Sequence, residues 1–231
     1  MRKLFAFTLA ETLIVMGIIG VVTALTLPNL NSSTGDKEKV AKVKKIYSNL
    51  EDALGRAQAV YGPYSEWESG GDILNKAGER ITEFMKVTKN CGYSESGNFN
   101  GSCSIGENIA KKLDGTTAIS PAYLGRAYFL ADGTFICFEC APDSCSITID
   151  IDGPNKGTST MGVDVFMFLG DDNGIIPYPN NVTSCKGSNG VDCTAWVVNV
   201  GNMDYLKADN SGKCKNNTSI VLDGVSNTTC K

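Results

Sequence analysis

The chain has 231 residues, with 21 Lys and Arg against 25 Asp and Glu, a formal net charge of −4 and no histidine. So mild an acidic balance gives no electrostatic reason to bind nucleic acid or anionic headgroups. The lack of histidine excludes every Ser-His-Asp or Cys-His catalytic set and removes the commonest metal ligand.

The first six residues, 1–6, form a basic leader charged at Arg2 and Lys3. Residues 7–27 are then almost wholly apolar. As a helix this run is about 31 Å long, matching the hydrocarbon core of a bilayer, which predicts a transmembrane helix. The basic flank places its N-terminus in the cytoplasm. A cleaved secretory signal has a shorter apolar core with the small residue after it. Here the small residue, Ala6, comes first. Glu11 lies near the start of the run, where an ionised side chain at membrane depth costs about 2.5–3.5 kcal/mol and usually marks a partner.

Lys3, Ala6, Phe7, Thr8, Leu9, Glu11, Gly20 and Pro28 together resemble the N-terminal signature of the type IV pilin and type II secretion pseudopilin superfamily. The resemblance implies cleavage between Ala6 and Phe7 by a prepilin peptidase and methylation of the new Phe7 amine. It implies assembly of the apolar helix into a filament, with Glu11 of one subunit facing the Phe7 amine of its neighbour. Gly20 and Pro28 stand where the family places a helix-loosening glycine and a helix-kinking proline. Ala6 departs from the family's usual glycine, so processing is expected to be slower or unchanged. The implied partners are copies of the chain, other pilin-like subunits, the prepilin peptidase and an inner-membrane assembly platform. The implied location is the bacterial inner membrane as a single-pass precursor, then a periplasmic or cell-surface filament.

After Pro28 the polar residues 29–35 predict unwinding or a bend. A second helical stretch follows, so that 28–61 forms an amphipathic extension. Its apolar stripe is Val40, Val43, Tyr47, Leu50, Leu54, Ala57 and Tyr61, opposite Lys37, Lys39, Lys42, Lys45, Asn49, Asp52 and Arg56. That pattern fits packing on a sheet better than a coiled coil. Gly62-Pro63 ends it. Residues 62–231 read as one globular domain outside the membrane. Within it, 67–71 reads as loop and 72–86 as a helix with Asp72 as a possible N-cap. Residues 91–106 read as a Gly, Ser and Asn-rich loop, and 105–113 as a short helix.

Strand signals begin at Tyr128. Residues 128–130, a tight turn at 131–133, 134–140, a turn at 141–144 and 145–151 predict a three-stranded antiparallel meander. Val163 to Leu169 is a fourth strand candidate, apolar enough to be buried on both faces. Residues 170–231 are turn-rich around one apolar stretch, 195–198.

All nine cysteines lie between Cys91 and Cys230, which implies an oxidising compartment, disulfides and an odd thiol. Nearest-neighbour pairs are Cys91–Cys103, Cys140–Cys145, Cys185–Cys193 and Cys214–Cys230. Cys137-x-x-Cys140 sits in a strand, where the two side chains point to opposite faces, so a redox pair is disfavoured and Cys137 is the candidate buried thiol. Asp150, Asp152, Asn155 and Asp164, with glycines between them, either gather oxygens around calcium or cap backbone N–H groups in turns. The type II major pseudopilins hold a calcium ion in their β region. The five Asn-x-Ser/Thr sequons, at Asn31, Asn181, Asn216, Asn217 and Asn227, read as ordinary polar loop.

The expected fold is α+β: a long bent N-terminal helix, half transmembrane and half amphipathic, packed on a small antiparallel sheet, with a disulfide-stapled, loop-rich C-terminal region. The expected function is a non-enzymatic subunit of a type II secretion pseudopilus or type IV pilus-like filament. The alternative is a monomeric, membrane-anchored binding domain that never polymerises.

Overall fold

A computed structural model describes residues 9–67, 73–105, 110–119, 123–156 and 159–230. The chain divides into two units, Met1–Glu38 and Lys39–Lys231. Helix α1, Leu9–Tyr61, has 53 residues and passes without interruption through Pro28 and the polar residues after it. The unwinding predicted at 29–35 is therefore absent. Gly62, at φ +84°, ends the helix by adopting a left-handed conformation, and its N–H donates to Gln58 O at 2.9 Å.

The long bent helix with a transmembrane half, and the single-pass inner-membrane placement built on it, are corrected here. Among the described residues no helix is long and apolar enough to cross a membrane. The helix that carries the apolar stretch is not apolar throughout. Polar residues such as Asn29, Asn31, Ser32 and Ser33 follow in the same helix.

In the unit Lys39–Lys231 a six-stranded sheet forms the framework. Its strands are β1 Val87–Ser94, β4 Gly125–Leu130, β5 Phe135–Cys140, β6 Cys145–Asp150, β7 Val165–Asp171 and β8 Gly174–Pro177. They lie in the order β1-β4-β5-β6-β7-β8, and every neighbouring pair is antiparallel. A separate ribbon joins β2 Ala110–Lys111 to β3 Thr117–Ile119, where the sequence predicted a short helix. Two other α-helices are described, α2 Ile73–Thr82 and α3 Asn100–Cys103.

Alternation along the strands splits the core into two layers. Ile136, Phe138, Ile147, Ile149, Phe166 and Phe168 face one side, in the same cluster as Val43, Ile46, Leu50 and Leu54 of α1. Tyr47 stacks on Phe168 at 5.8 Å. Helix α2 comes close to the same layer: a Cβ on Gly78 would lie 3.0 Å from Phe138. Ala127, Phe135, Cys137 and Val165 face the other side with Phe99, Tyr123 and Met161. Phe135 meets the rings of Tyr123 at 4.9 Å and Phe129 at 5.2 Å, both edge-on, a favoured aromatic geometry.

The C-terminal region has little regular structure. A π-helical turn, Trp196–Val200, buries Trp196. The indole Nε1 donates to Asn202 Oδ1 at 2.9 Å, and Asn202 Nδ2 donates to Thr228 O at 2.8 Å. These bonds satisfy the buried indole and tie the turn to the chain end.

Candidate functional site

The N-terminal stretch of α1 carries the first set of candidate residues. Ala6 and Phe7 lie outside the described residues. Glu11 sits in the first turn, where an acid complements the helix dipole, and is exposed. Gly20 is exposed within the helix, and a Cβ there would meet nothing within 4 Å. Pro28 is part of the uninterrupted helix. Around Glu11 and Gly20 the apolar residues stand in the open, with Leu9 80%, Met16 71% and Ile14 63% exposed. Chemically this stretch offers apolar area to whatever covers it.

The second set lies where β6 meets β7. Asp150 ends β6, and Asp164 immediately precedes β7. The two are brought together because Asp150 pairs with Val165 across the ladder and Ile151 N–H donates to Asp164 O at 2.9 Å. Both are buried. Asp150 Oδ2 accepts from Tyr123 OH at 2.6 Å and Ser159 Oγ at 2.9 Å, while its Oδ1 accepts from Gly153 N at 2.9 Å. Asp164 Oδ1 accepts from Thr160 N. Asn155 is exposed and outside this network.

Burial raises the Asp150 carboxyl to about 6, aided by a hydrogen bond with Asp152 and by the charge of Asp164, and opposed by the bond from Tyr123. Burial likewise raises Asp164 to about 6, with the charge of Asp152 adding to it and Lys39 opposing. A carboxylate withdrawn from water favours its neutral form. The Tyr123 phenol is pushed up by its own burial and then by Asp150, so it remains a donor.

These carboxylates act as clamps that tie Gly153, Ser159 and Thr160 to the edge of β6 and β7. Of the four residues read as calcium ligands, Asp150 spends both carboxylate oxygens, and Asp164 its Oδ1, on hydrogen bonds within the chain. Among the described residues no group of three or more acids or cysteines is placed to hold a metal ion. Tyr123 and Ser159, on which the clamp depends, carried no sequence signal. Tyr123 lies 27 residues from Asp150 in the chain, and only folding brings it near.

The cysteines form the third set. The structure joins Cys91 to Cys103, Cys140 to Cys145, Cys185 to Cys193 and Cys214 to Cys230, the same nearest-neighbour pairs that the sequence suggests. Cys140 and Cys145 are direct partners across the β5–β6 ladder. Cys137 is free and buried, its Sγ donating to Leu124 O at 2.7 Å. Burial pushes its thiol up, and Glu139 adds to the effect, so the reactive thiolate is disfavoured.

No family model matches the chain, and no curated protein or solved structure matches it.

Proposed function

We propose that this chain is a pilin-like structural subunit, processed between Ala6 and Phe7 by a prepilin peptidase. It polymerises with copies of itself and with other pilin-like subunits into a pseudopilus or type IV pilus-like filament. One observation carries the reading. The described N-terminal stretch of α1 exposes apolar side chains on every side, from Leu9 at 80% to Val22 at 54%. Such a surface is far more apolar than a lone soluble subunit keeps in water, and it marks an interaction site. The motif around Glu11 supplies the second support. A carboxylate facing a neighbour's new amine in a desolvated core sets register more than it adds affinity, because a misplaced subunit leaves both charges unpaired.

The test has two parts. Intact mass and N-terminal peptide analysis of the natural protein is expected to give a chain beginning at Phe7 with one added methyl. Crosslinking of the full chain is expected to give a ladder of repeats, which Glu11→Ala depletes. A chain still beginning at Met1 in cells with an active prepilin peptidase, and monomers only after crosslinking, would favour a non-polymerising binding domain.

A further inference from the structure

In the unit Lys39–Lys231 the antiparallel order places the connections at two opposite ends of the sheet. One end holds the β5–β6 and β7–β8 turns and the C-terminal end of α1. There Gln58 Nε2 donates to Asp171 O at 3.1 Å, and Tyr64 OH donates to Ala141 O at 2.7 Å. The other end holds the β4–β5 turn and the β6–β7 connection. Lys42 of α1 donates there to Asp132 O and to Ile151 O, and Ala131 N donates to Lys86 O at 2.9 Å.

The two ends carry opposite charge. At the first, Glu66, Asp143 and Asp172 are exposed. A cation at that end, Arg80, lies over the rings of Tyr61 and Trp67, 4.9 and 5.5 Å from their centroids. At the second, Lys44, Lys45 and Lys86 are exposed. Among the acids near them, Asp132 lies 3.6 Å from Lys45 and exposed Asp52 lies 3.6 Å from Arg56, Asp150 and Asp164 are buried, and Asp152 is half-buried. From Lys45 to Gln58 the helix rises about 20 Å, more than two Debye lengths of about 8 Å at physiological salt. Within one molecule the two ends therefore do not cancel, and each acts on whatever touches it.

We propose that these ends are the two halves of a head-to-tail contact between copies of this chain. The basic end of one unit, at Lys44, Lys45 and Lys86, meets the acidic end of the next, at Glu66, Asp143 and Asp172. The proposal rests on the filament reading and adds the contact between folded units. A contact that uses two different patches propagates as an open helix whenever its rotation does not close. Like ends repel, so the wrong polarity is disfavoured. Exposed charges of this kind steer orientation and association rate, while the apolar stretch of α1 supplies affinity.

The test is zero-length carbodiimide crosslinking of the full chain under assembling conditions, with peptides identified by mass spectrometry in a mixture of isotopically light and heavy protein. Links between a lysine of the basic end and an acid of the acidic end, in mixed light-heavy pairs, are expected. Raising salt from about 50 mM to about 500 mM should deplete them. Lys44→Glu with Lys86→Glu should abolish them and slow assembly about ten-fold or more. Mixing that variant with Glu66→Lys and Asp143→Lys should restore links between the two. Assembly without such links, or with links that ignore salt, overturns this contact and leaves the filament reading standing. Failure to assemble at all overturns both.

Discussion

Two stretches of α1 use the same residue types with opposite results. Between Leu9 and Val22, Leu, Ile, Val and Met side chains stand in the open. Between Val40 and Ala57, Val43, Ile46, Leu50 and Leu54 are 0–1% exposed. Helix propensity does not separate them. The second stretch has a sheet surface to cover, and its polar residues leave an apolar stripe aimed at that surface. The first is apolar nearly all round, and its described side chains are exposed on every side. An amphipathic helix completes its own domain, whereas a helix apolar on every side needs other molecules.

Substitution is the most direct way to break this comparison. Leu50→Ala removes a fully buried side chain and is expected to cost about 2–5 kcal/mol in urea unfolding. Ile14→Ala, at a position 63% exposed, is expected to leave that unfolding within about 0.5 kcal/mol while reducing crosslinked multimers. Equal effects of the two on the folded unit would erase the distinction.

The loop-rich C-terminal region is held by two disulfides as well as by packing around Trp196. Replacing both Cys214 and Cys230 by Ala opens a loop of sequence separation 16 and is expected to cost about 2–4 kcal/mol. The loss would be read as a lower unfolding midpoint against a control with Cys137→Ser.

The acid clamp sharpens the contrast between buried and exposed charge. Asp150 and Asp164 both have folded values near 6, raised from 3.8. The folded state therefore holds protons that the unfolded state has released. Their stabilising contribution is fully present below 3.8 and is lost as pH rises through about 6. Stability should fall by about 1–2 kcal/mol from pH 5 to pH 7. Asp164→Asn keeps an oxygen for the Thr160 N–H and should flatten that slope. A flat profile from pH 5 to pH 7 would show that the pair is ionised throughout.

The smallest effect belongs to the exposed pair Lys45–Asp132, at 3.6 Å with the lysine 63% exposed. Asp132→Asn is expected to change stability by less than about 1 kcal/mol. The change should vanish at high salt in the same urea titrations.

Local signals in the sequence carried a large part of this structure. The spacing of Val40, Val43, Leu50, Leu54 and Ala57 marks a helix face. The turns at 131–133 and 141–144 mark hairpins, and the alternation from Tyr128 to Ile151 marks the strands between them. Each is a property of neighbouring residues, so it can be read without knowing the fold. Nearest cysteines also pair, because short loops cost little entropy to close.

The rest required the assembled unit. Ile46 and Ala53 broaden the helix stripe because the sheet beneath α1 is wide enough to bury them. Strand β1, with Lys89, Asn90 and Gly92, has little strand character of its own. It forms because β4 offers an unpaired edge, and β8 forms in the same way against β7. Uninterrupted helix through Pro28 overrides a local breaker.

By itself the sequence determined which residues could face a core, where the chain must turn, and that a separate apolar stretch precedes a folded unit. The tertiary structure decided which strands meet and which carboxylates lose their water. Pairing across a sheet and burial by a distant tyrosine are set by residues far apart in the chain, and no local pattern encodes such contacts.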